Sequence, residues 1–171
     1  MYKRQATYWE VPRAWRHFED LFRRAIRTPG VPLGRSGQVC YRPPFLTWTL
    51  PSGRPLYYFE PDIGEDGDLS YMGQNQYTTK WERVYTWGGK LVENLVQAVA
   101  RDVLVAGLQR YTAAGGTIVG HVHDEIIAEE AEEEAEQWLS TLREAMSAPL
   151  PWAPGLLLAA SGYTAKRYRK D

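Results

Sequence analysis

The sequence predicts an α+β fold, an antiparallel sheet with helices packed on one face. An amphipathic helix comes first, short β-like runs separated by tight turns come after it, and a long apolar helix then leads into a second hairpin. Strands that succeed one another through short turns pair antiparallel and leave the helices to cover one side of the sheet. With 171 residues, 44% of them hydrophobic, the chain is long enough for a domain with a real core.

Residues 12–27 are predicted to form the first helix. Trp15, Phe18, Phe22 and Ile26 recur at helical spacing, while arginines lie off this stripe. Thr28-Pro29-Gly30 ends the pattern. An aromatic stripe of this kind is typical of a helix that packs on a core.

Residues 31–80 are rich in Gly and Pro and contain three short β-like runs, at 39–41, 45–50 and 56–59. The sequence 51–54 (Pro-Ser-Gly-Arg) predicts a hairpin turn between the last two runs, and 64–67 predicts a second loop.

Residues 89–114 are predicted to form the longest helix, which is apolar around most of its circumference and so largely buried. A narrow polar stripe interrupts it, with Glu93 beside it; the stripe comprises Lys90, Asn94, Gln97 and Arg101. Buried amides need partners. Either Asn94 and Gln97 hydrogen-bond inside the protein, or the stripe faces a polar ligand such as a nucleic-acid groove. Arg101 is expected to form an ion pair with a neighbouring acid.

Residues 120–127 (Gly-His-Val-His-Asp-Glu-Ile-Ile) predict two strands joined by a tight turn, with Asp124 and Glu125 at the bend. Adjacent carboxylates repel each other, and a cation relieves that cost. Carboxylate oxygens suit a divalent metal. His121 and His123 are expected on one face of the strand, but no further His or Cys completes a zinc ligand set.

A helix at about 131–147 and a buried strand at 155–160 are predicted to close the fold. Six acidic residues between 129 and 136 lie at the start of that helix, where its dipole favours negative charge.

Composition narrows the functional classes. No apolar run approaches the roughly 20 residues of a membrane span, and the single Cys40 allows no internal disulfide, so the expected compartment is a reducing cytoplasm. Residues 1–54 carry ten Lys and Arg against three Asp and Glu, and the chain end is basic again. Two such regions could meet phosphates around an acidic metal site, or be ordinary solvated surface.

Residues 1–5 fit poorly with the rest of the chain and look like a translated sequencing-adapter end or a cloning scar. The domain is therefore expected to comprise residues 6–171, and the chain to be a fragment that starts inside a larger gene.

Several of these motifs together resemble the C-terminal palm region of family A DNA polymerases, closest to the bacteriophage branch. The His123-Asp124-Glu125 turn resembles the family's third conserved motif, and 88–102 resembles the palm helix before it. Further similarity lies at 50–54, 152–156 and 166–168, so that it extends over nearly everything after about residue 7.

The resemblance implies roles for these residues. Asp124 would be a catalytic carboxylate that coordinates Mg²⁺, and Glu125 its supporting catalytic neighbour. His123 would contact the primer strand near its 3′ end. The helix would face primer-template DNA through its polar side chains: Gln97 with Glu93 or Asn94 in the minor groove, and Lys90 and Arg101 along the same stripe.

The chain also departs from the family. The Asp-(Tyr or Phe)-Ser run that supplies the second metal-binding Asp is absent, as is the fingers helix that binds the incoming dNTP. The resemblance therefore implies a partial palm of a template-directed DNA polymerase with a two-Mg²⁺ site, inactive alone and located in the host cytoplasm if phage-encoded. The alternatives are a non-catalytic primer-template binding module and, less favoured, a metal-dependent nuclease.

Overall fold

The computed structural model describes residues 8–168 and divides the chain into two compact units. One unit ends at Gln97 and the other begins at Ala98, so the boundary falls inside the long helix. Helices and antiparallel strands occur together, which confirms the predicted α+β class. Residues 1–5, predicted to be of foreign origin, lie outside the described residues.

The elements succeed one another in a simple order. They are α1 (Glu10–Arg27), β1 (Val39–Arg42), β2 (Phe45–Thr49), β3 (Pro55–Ile63), β4 (Leu69–Gln74), β5 (Trp81–Thr86), α2 (Gly88–Ala113), β6 (Ile118–Val122), β7 (Glu125–Ala128), a 3₁₀ turn (Glu132–Glu134) and α3 (Ala135–Ser147).

The first unit is built on a five-stranded antiparallel meander in the order β1-β2-β3-β4-β5. Side chains alternate between the two faces of a strand, and α1 covers the inner face. Phe18 stacks on Trp48 with ring centroids 5.1 Å apart, and Phe22 meets Tyr58 edge-on at the same distance. The predicted aromatic stripe of the first helix thus packs on the sheet.

The first turn of α2 lies directly against α1. A Cβ atom at Gly88 would lie 2.1 Å from the carbonyl oxygen of Trp15, closer than any side-chain atom can approach. The amide of Gly88 donates a 2.9 Å hydrogen bond to Glu19, which also accepts one from Arg23 at 2.7 Å. The Arg23 hydrogen bond is the main cause of the lowered pKa of Glu19, with the Gly88 amide adding to it and burial opposing it. The main chains therefore meet here only because residue 88 has no side chain.

The second unit comprises the rest of α2, the β6–β7 hairpin and α3. Tyr111 is 1% exposed, and its ring meets Trp138 edge-on at 5.7 Å. Arg110 donates hydrogen bonds to the carbonyl oxygens of Ala145, Ala148 and Pro149, so it caps the C-terminal end of α3.

Three features differ from the sequence-based expectations. Strands β4 and β5 were not predicted, and the hairpin at Asp124 forms its own two-stranded sheet instead of joining the larger one. The buried strand predicted at 155–160 is wrong: this segment is irregular, and Leu157 is 95% exposed. An apolar run signals burial, but a strand also needs an edge to pair with, and Gly155 at φ 83° turns the chain away from extended structure.

Helix α2 is less buried than its composition predicts. Leu91, Leu95 and Leu104 are buried, but Val96 is 61% exposed. Within the described part of the chain, no helix is long and apolar enough to cross a membrane.

Candidate functional site

The acidic turn predicted from the sequence is present. Strand β6 ends at Val122, which pairs with Glu125 at the start of β7, so His123 and Asp124 alone form the loop. His123 has a φ of 53°, whereas the φ of Asp124 is not positive. A two-residue hairpin with positive φ at its first residue matches the type II′ pattern, in which glycine usually occupies this position. The turn therefore places Asp124 at the tip of the hairpin.

Each polar side chain of the turn is exposed to solvent: His121, His123, Asp124 and Glu125. Asp124 lies neither in a helix nor in an interior ion pair, so its carboxylate is accessible to a ligand. The expectation that His121 and His123 share one face of a strand is wrong, because His123 belongs to the turn.

Glu125 has a neighbour that the sequence did not indicate. The hydroxyl of Tyr168 lies 3.4 Å from its Oε2 atom, in position to donate a weak hydrogen bond. Desolvation and then the charge of Glu125 raise the pKa of Tyr168. Tyr168 comes directly after Lys166 and Arg167, a segment that only the family resemblance singles out, since nothing in the spacing connects it with the turn.

Arg101 contacts His121. Its two terminal nitrogens lie 3.3 Å from the two ring nitrogens of the histidine. A neutral imidazole has one acceptor nitrogen and one donor nitrogen, so both contacts cannot be hydrogen bonds, and the guanidinium is placed against the ring as a whole. The structure thus shows Arg101 beside the hairpin, against a histidine where an acid was expected.

The open end of the hairpin is fastened by a half-buried acid. Glu130 Oε1 accepts a 2.8 Å hydrogen bond from the Tyr111 hydroxyl and a 2.6 Å bond from the Thr117 amide. Burial and then Glu130 raise the pKa of Tyr111. Next to it, Gly116 approaches the Tyr111 ring so closely that a Cβ atom there would lie 2.3 Å from it. The hairpin is therefore anchored at the end opposite Asp124.

The turn supplies fewer metal-ligating side chains than a complete metal site needs. Among residues 8–168, no group of three or more His, Cys, Asp or Glu side chains is placed to hold a metal ion. Mg²⁺ is held by one or two carboxylates together with waters and substrate phosphates, and a two-metal centre needs more. Asp124 and Glu125 could supply part of such a site, but the described residues do not fit a two-metal centre by themselves.

The polar stripe of α2 is divided between the units. In the first unit, Glu93 accepts hydrogen bonds from Lys90 at 3.0 Å and from Gln97 at 3.3 Å. Lys90, Glu93 and Gln97 thus form one hydrogen-bonded row, and both Glu93 and Gln97 are exposed.

Asn94 turns toward two tyrosines of the same unit. Burial raises the pKa of Tyr58 to about 12, and Asn94 opposes this rise in both Tyr58 and Tyr71. The contact is loose, since Tyr58 Oη is buried without a well-formed hydrogen bond. The sequence left open whether these amides hydrogen-bond inside the protein or face a polar ligand. Internal hydrogen bonding fits Asn94, whereas the side chain of Gln97 is exposed and accessible to a ligand.

Comparison with known proteins connects the chain with DNA polymerases. The chain is 41% identical over 136 residues to a DNA polymerase of Bacillus phage SP02, a match that covers 77% of this chain and 20% of the phage protein. A continuous match of that extent includes the centre of the chain, and therefore both α2 and the β6–β7 hairpin. The chain spans about a fifth of the length of this relative. No protein-family model matches it, and no solved structure does.

Proposed function

We propose that this chain is part of a DNA-directed DNA polymerase of family A, namely a C-terminal portion of the palm. The parent enzyme would add deoxynucleotides to a primer 3′-hydroxyl under the direction of a template. One observation carries the proposal: the exposed carboxylate of Asp124 stands at a two-residue hairpin turn, inside a region similar to a phage DNA polymerase.

Asp124 is proposed as a catalytic carboxylate that supplies one Mg²⁺ ligand, with the second carboxylate coming from outside the described residues. When bound, two Mg²⁺ ions would neutralise the charge that develops on the transferred phosphoryl group. Glu125 would support the site as its neighbour, with the Tyr168 hydroxyl 3.4 Å from its Oε2 atom.

His123 and the exposed stripe are proposed to contact DNA. His123 projects from the tip beside Asp124, where a primer end would have to lie for Asp124 to act on it. Gln97, Glu93 and Lys90 form a row that contains an amide, an acceptor and a donor, and such groups can meet the minor groove without strong sequence preference. Arg101 would contribute positive charge near the hairpin.

A chimera tests the proposal. This chain replaces the matching fifth of the Bacillus phage SP02 polymerase, and primer extension is measured with Mg²⁺ and four dNTPs. We expect the chimera to extend the primer and Asp124→Asn to lower the rate at least a hundredfold, because the substitution removes the charge while keeping the shape. Asp66→Asn is the matched control, since Asp66 is an exposed acid in the β3–β4 loop. Equal rates for the Asp124 and Asp66 variants would contradict the assignment.

A non-catalytic primer-template binding module is the second candidate, and the incomplete donor set of the described residues favours it. Chimeras that bind primer-template DNA with normal affinity but never extend it, although they are folded, would support the module over the enzyme.

A further inference from the structure

The outer face of the five-stranded sheet is aromatic. The strand register places the outward side chains on the face opposite to the one that α1 covers. Five residues make up this surface, which we call the aromatic face: Phe45, Tyr57, Phe59, Trp81 and Tyr85. Tyr57 and Trp81 are each 63% exposed and Tyr85 is 70% exposed, so these rings stand in solvent.

Four of the five rings contact one another in succession. Phe45 lies 5.9 Å from Tyr57 and 5.2 Å from Phe59, and Phe59 lies 6.2 Å from Trp81, measured between ring centroids. The inner face also carries rings, Trp48 and Tyr58, but these are buried under α1 together with aliphatic side chains. An exposed, contiguous apolar patch marks an interaction site, and this patch is built from flat π surfaces.

Two arginines share this face with the rings. The register runs across all five strands in one row, from Arg42 to Phe45, Phe59, Met72 and finally Arg83. At the usual strand separation, the two arginines stand about 19 Å apart. Arg83 Nη1 donates to Glu60 O at 3.2 Å and to Ser70 Oγ at 3.3 Å, so the guanidinium extends from the edge strand inward over β4 and β3.

We propose that the aromatic face binds single-stranded DNA. Bases stack on the exposed rings, and the exposed side chains of Arg42 and Arg83 pair with phosphates of the same strand. This is the combination that single-strand binding surfaces use, with π faces for any base and cations for the backbone. The proposal deepens the proposed polymerase function and rests on it for the identity of the strand, which is the unpaired template.

The charge pattern also sets the path of the single-stranded DNA across the aromatic face. Asp62 pairs with Ser70, which in turn faces Tyr85, so an exposed acid occupies that corner of the aromatic face. Phosphates are repelled there, and the strand runs along the row from Arg42 to Arg83.

The test measures binding of a fluorescent oligo-dT to the full chain by anisotropy. Trp81→Ala and Tyr57→Ala are each expected to weaken binding about tenfold, whereas Trp81→Phe keeps a ring and most of the affinity. Tyr77→Ala is the matched control, because Tyr77 is 96% exposed in the β4–β5 loop and lies off the face. Circular dichroism verifies that each variant is folded.

The phosphate contacts are tested by salt. Arg83→Gln is expected to reduce the slope of log affinity against log salt concentration by about 0.7, the value of one phosphate contact on a single strand. Arg24→Gln, on the exposed side of α1, should leave the slope unchanged.

Two results would overturn the proposal. One is no binding of oligo-dT by the folded chain at protein concentrations up to about 0.1 mM. The other is that ring removal changes the sedimentation of the chain but not its affinity for oligo-dT, which would make the face a protein interface. Oligo-dT binding tests the aromatic face alone, and primer extension by the chimera tests Asp124, so the failure of the stacking surface and the failure of the polymerase proposal are distinguishable.

Discussion

At the scale of single residues, His123 has a backbone conformation that favours glycine, although the residue has a large side chain. It has a positive φ of 53° in the turn, a conformation that costs a non-glycine residue roughly 1 kcal/mol or more. A glycine would satisfy the turn more easily. The presence of histidine at such a position is the pattern expected when a side chain is kept for its chemistry.

We predict that His123→Gly and His123→Ala separate these two contributions. Both lose the imidazole, but only glycine relieves the backbone, so the glycine variant should be about 1 kcal/mol more stable than the alanine variant. Urea unfolding of the two chains gives this difference. In the polymerase chimera both should reduce primer extension alike, and a full rate with His123→Gly would remove His123 from the proposed primer contact.

The sequence was sufficient to place Asp124 at a bend, because the apolar runs on both sides end there. It could not show that His123 takes the positive φ, since the sequence contains no glycine or asparagine at the turn to reveal the type. Nor could it show Tyr168 beside Glu125, because the two residues are 43 positions apart in the chain.

At the scale of elements, Glu19 connects α1 with the first turn of α2 through its bonds to Arg23 and the Gly88 amide. Its pKa lies below the ordinary value of 4.5 in the folded chain. A carboxyl group whose folded pKa is lowered stabilises the protein above its unfolded pKa, and that stabilisation is lost as pH falls through the folded pKa.

We therefore predict that Glu19→Gln flattens the acid dependence of stability. Between about pH 5 and about pH 3, the wild-type free energy of unfolding should fall more steeply than that of the variant, and the two should converge at the acid end. Urea titrations at several pH values measure this. Glu65→Gln, in the exposed β3–β4 loop, serves as the control. Parallel curves for wild type and Glu19→Gln would show that the linkage is absent.

Elements with strong periodicity were predicted well, and those that depend on a partner were not. Trp15, Phe18 and Phe22 are spaced so that they fall on one face only if the segment is a helix. In strand β5 the aromatic residues Trp81 and Tyr85 lie on the exposed face together with Arg83. Apolar residues usually mark the buried face of a strand, so this sequence did not indicate a strand. The run at 155–160 has the burial signal without a neighbouring strand.

At the scale of the whole molecule, the chain corresponds to a fifth of its phage relative and divides into two units. The acid pair at the turn is only part of a metal centre. We predict that the chain alone extends no primer with Mg²⁺ and dNTPs, while it still binds DNA with an affinity that falls as salt increases. Primer extension and gel shifts on one preparation measure both properties. Extension by the isolated chain would require a second metal-binding carboxylate within it.

The α+β class could be predicted because the order of helices and strands is local information. The division into two units could not, since the apolar residues of α2 run across the boundary at Gln97 without interruption. A hydrophobic pattern indicates that a helix is buried, but it does not indicate which part of the chain buries it.

Gly88 allows two helices of the first unit to meet through their main chains. The main chain of α2 rests on the carbonyl group of Trp15 with no side chain between them. Side chains at a helix contact can absorb small displacements by changing rotamer, but a backbone-to-backbone contact has no such slack. Any displacement of the first turn of α2 is therefore expected to move α1 with it.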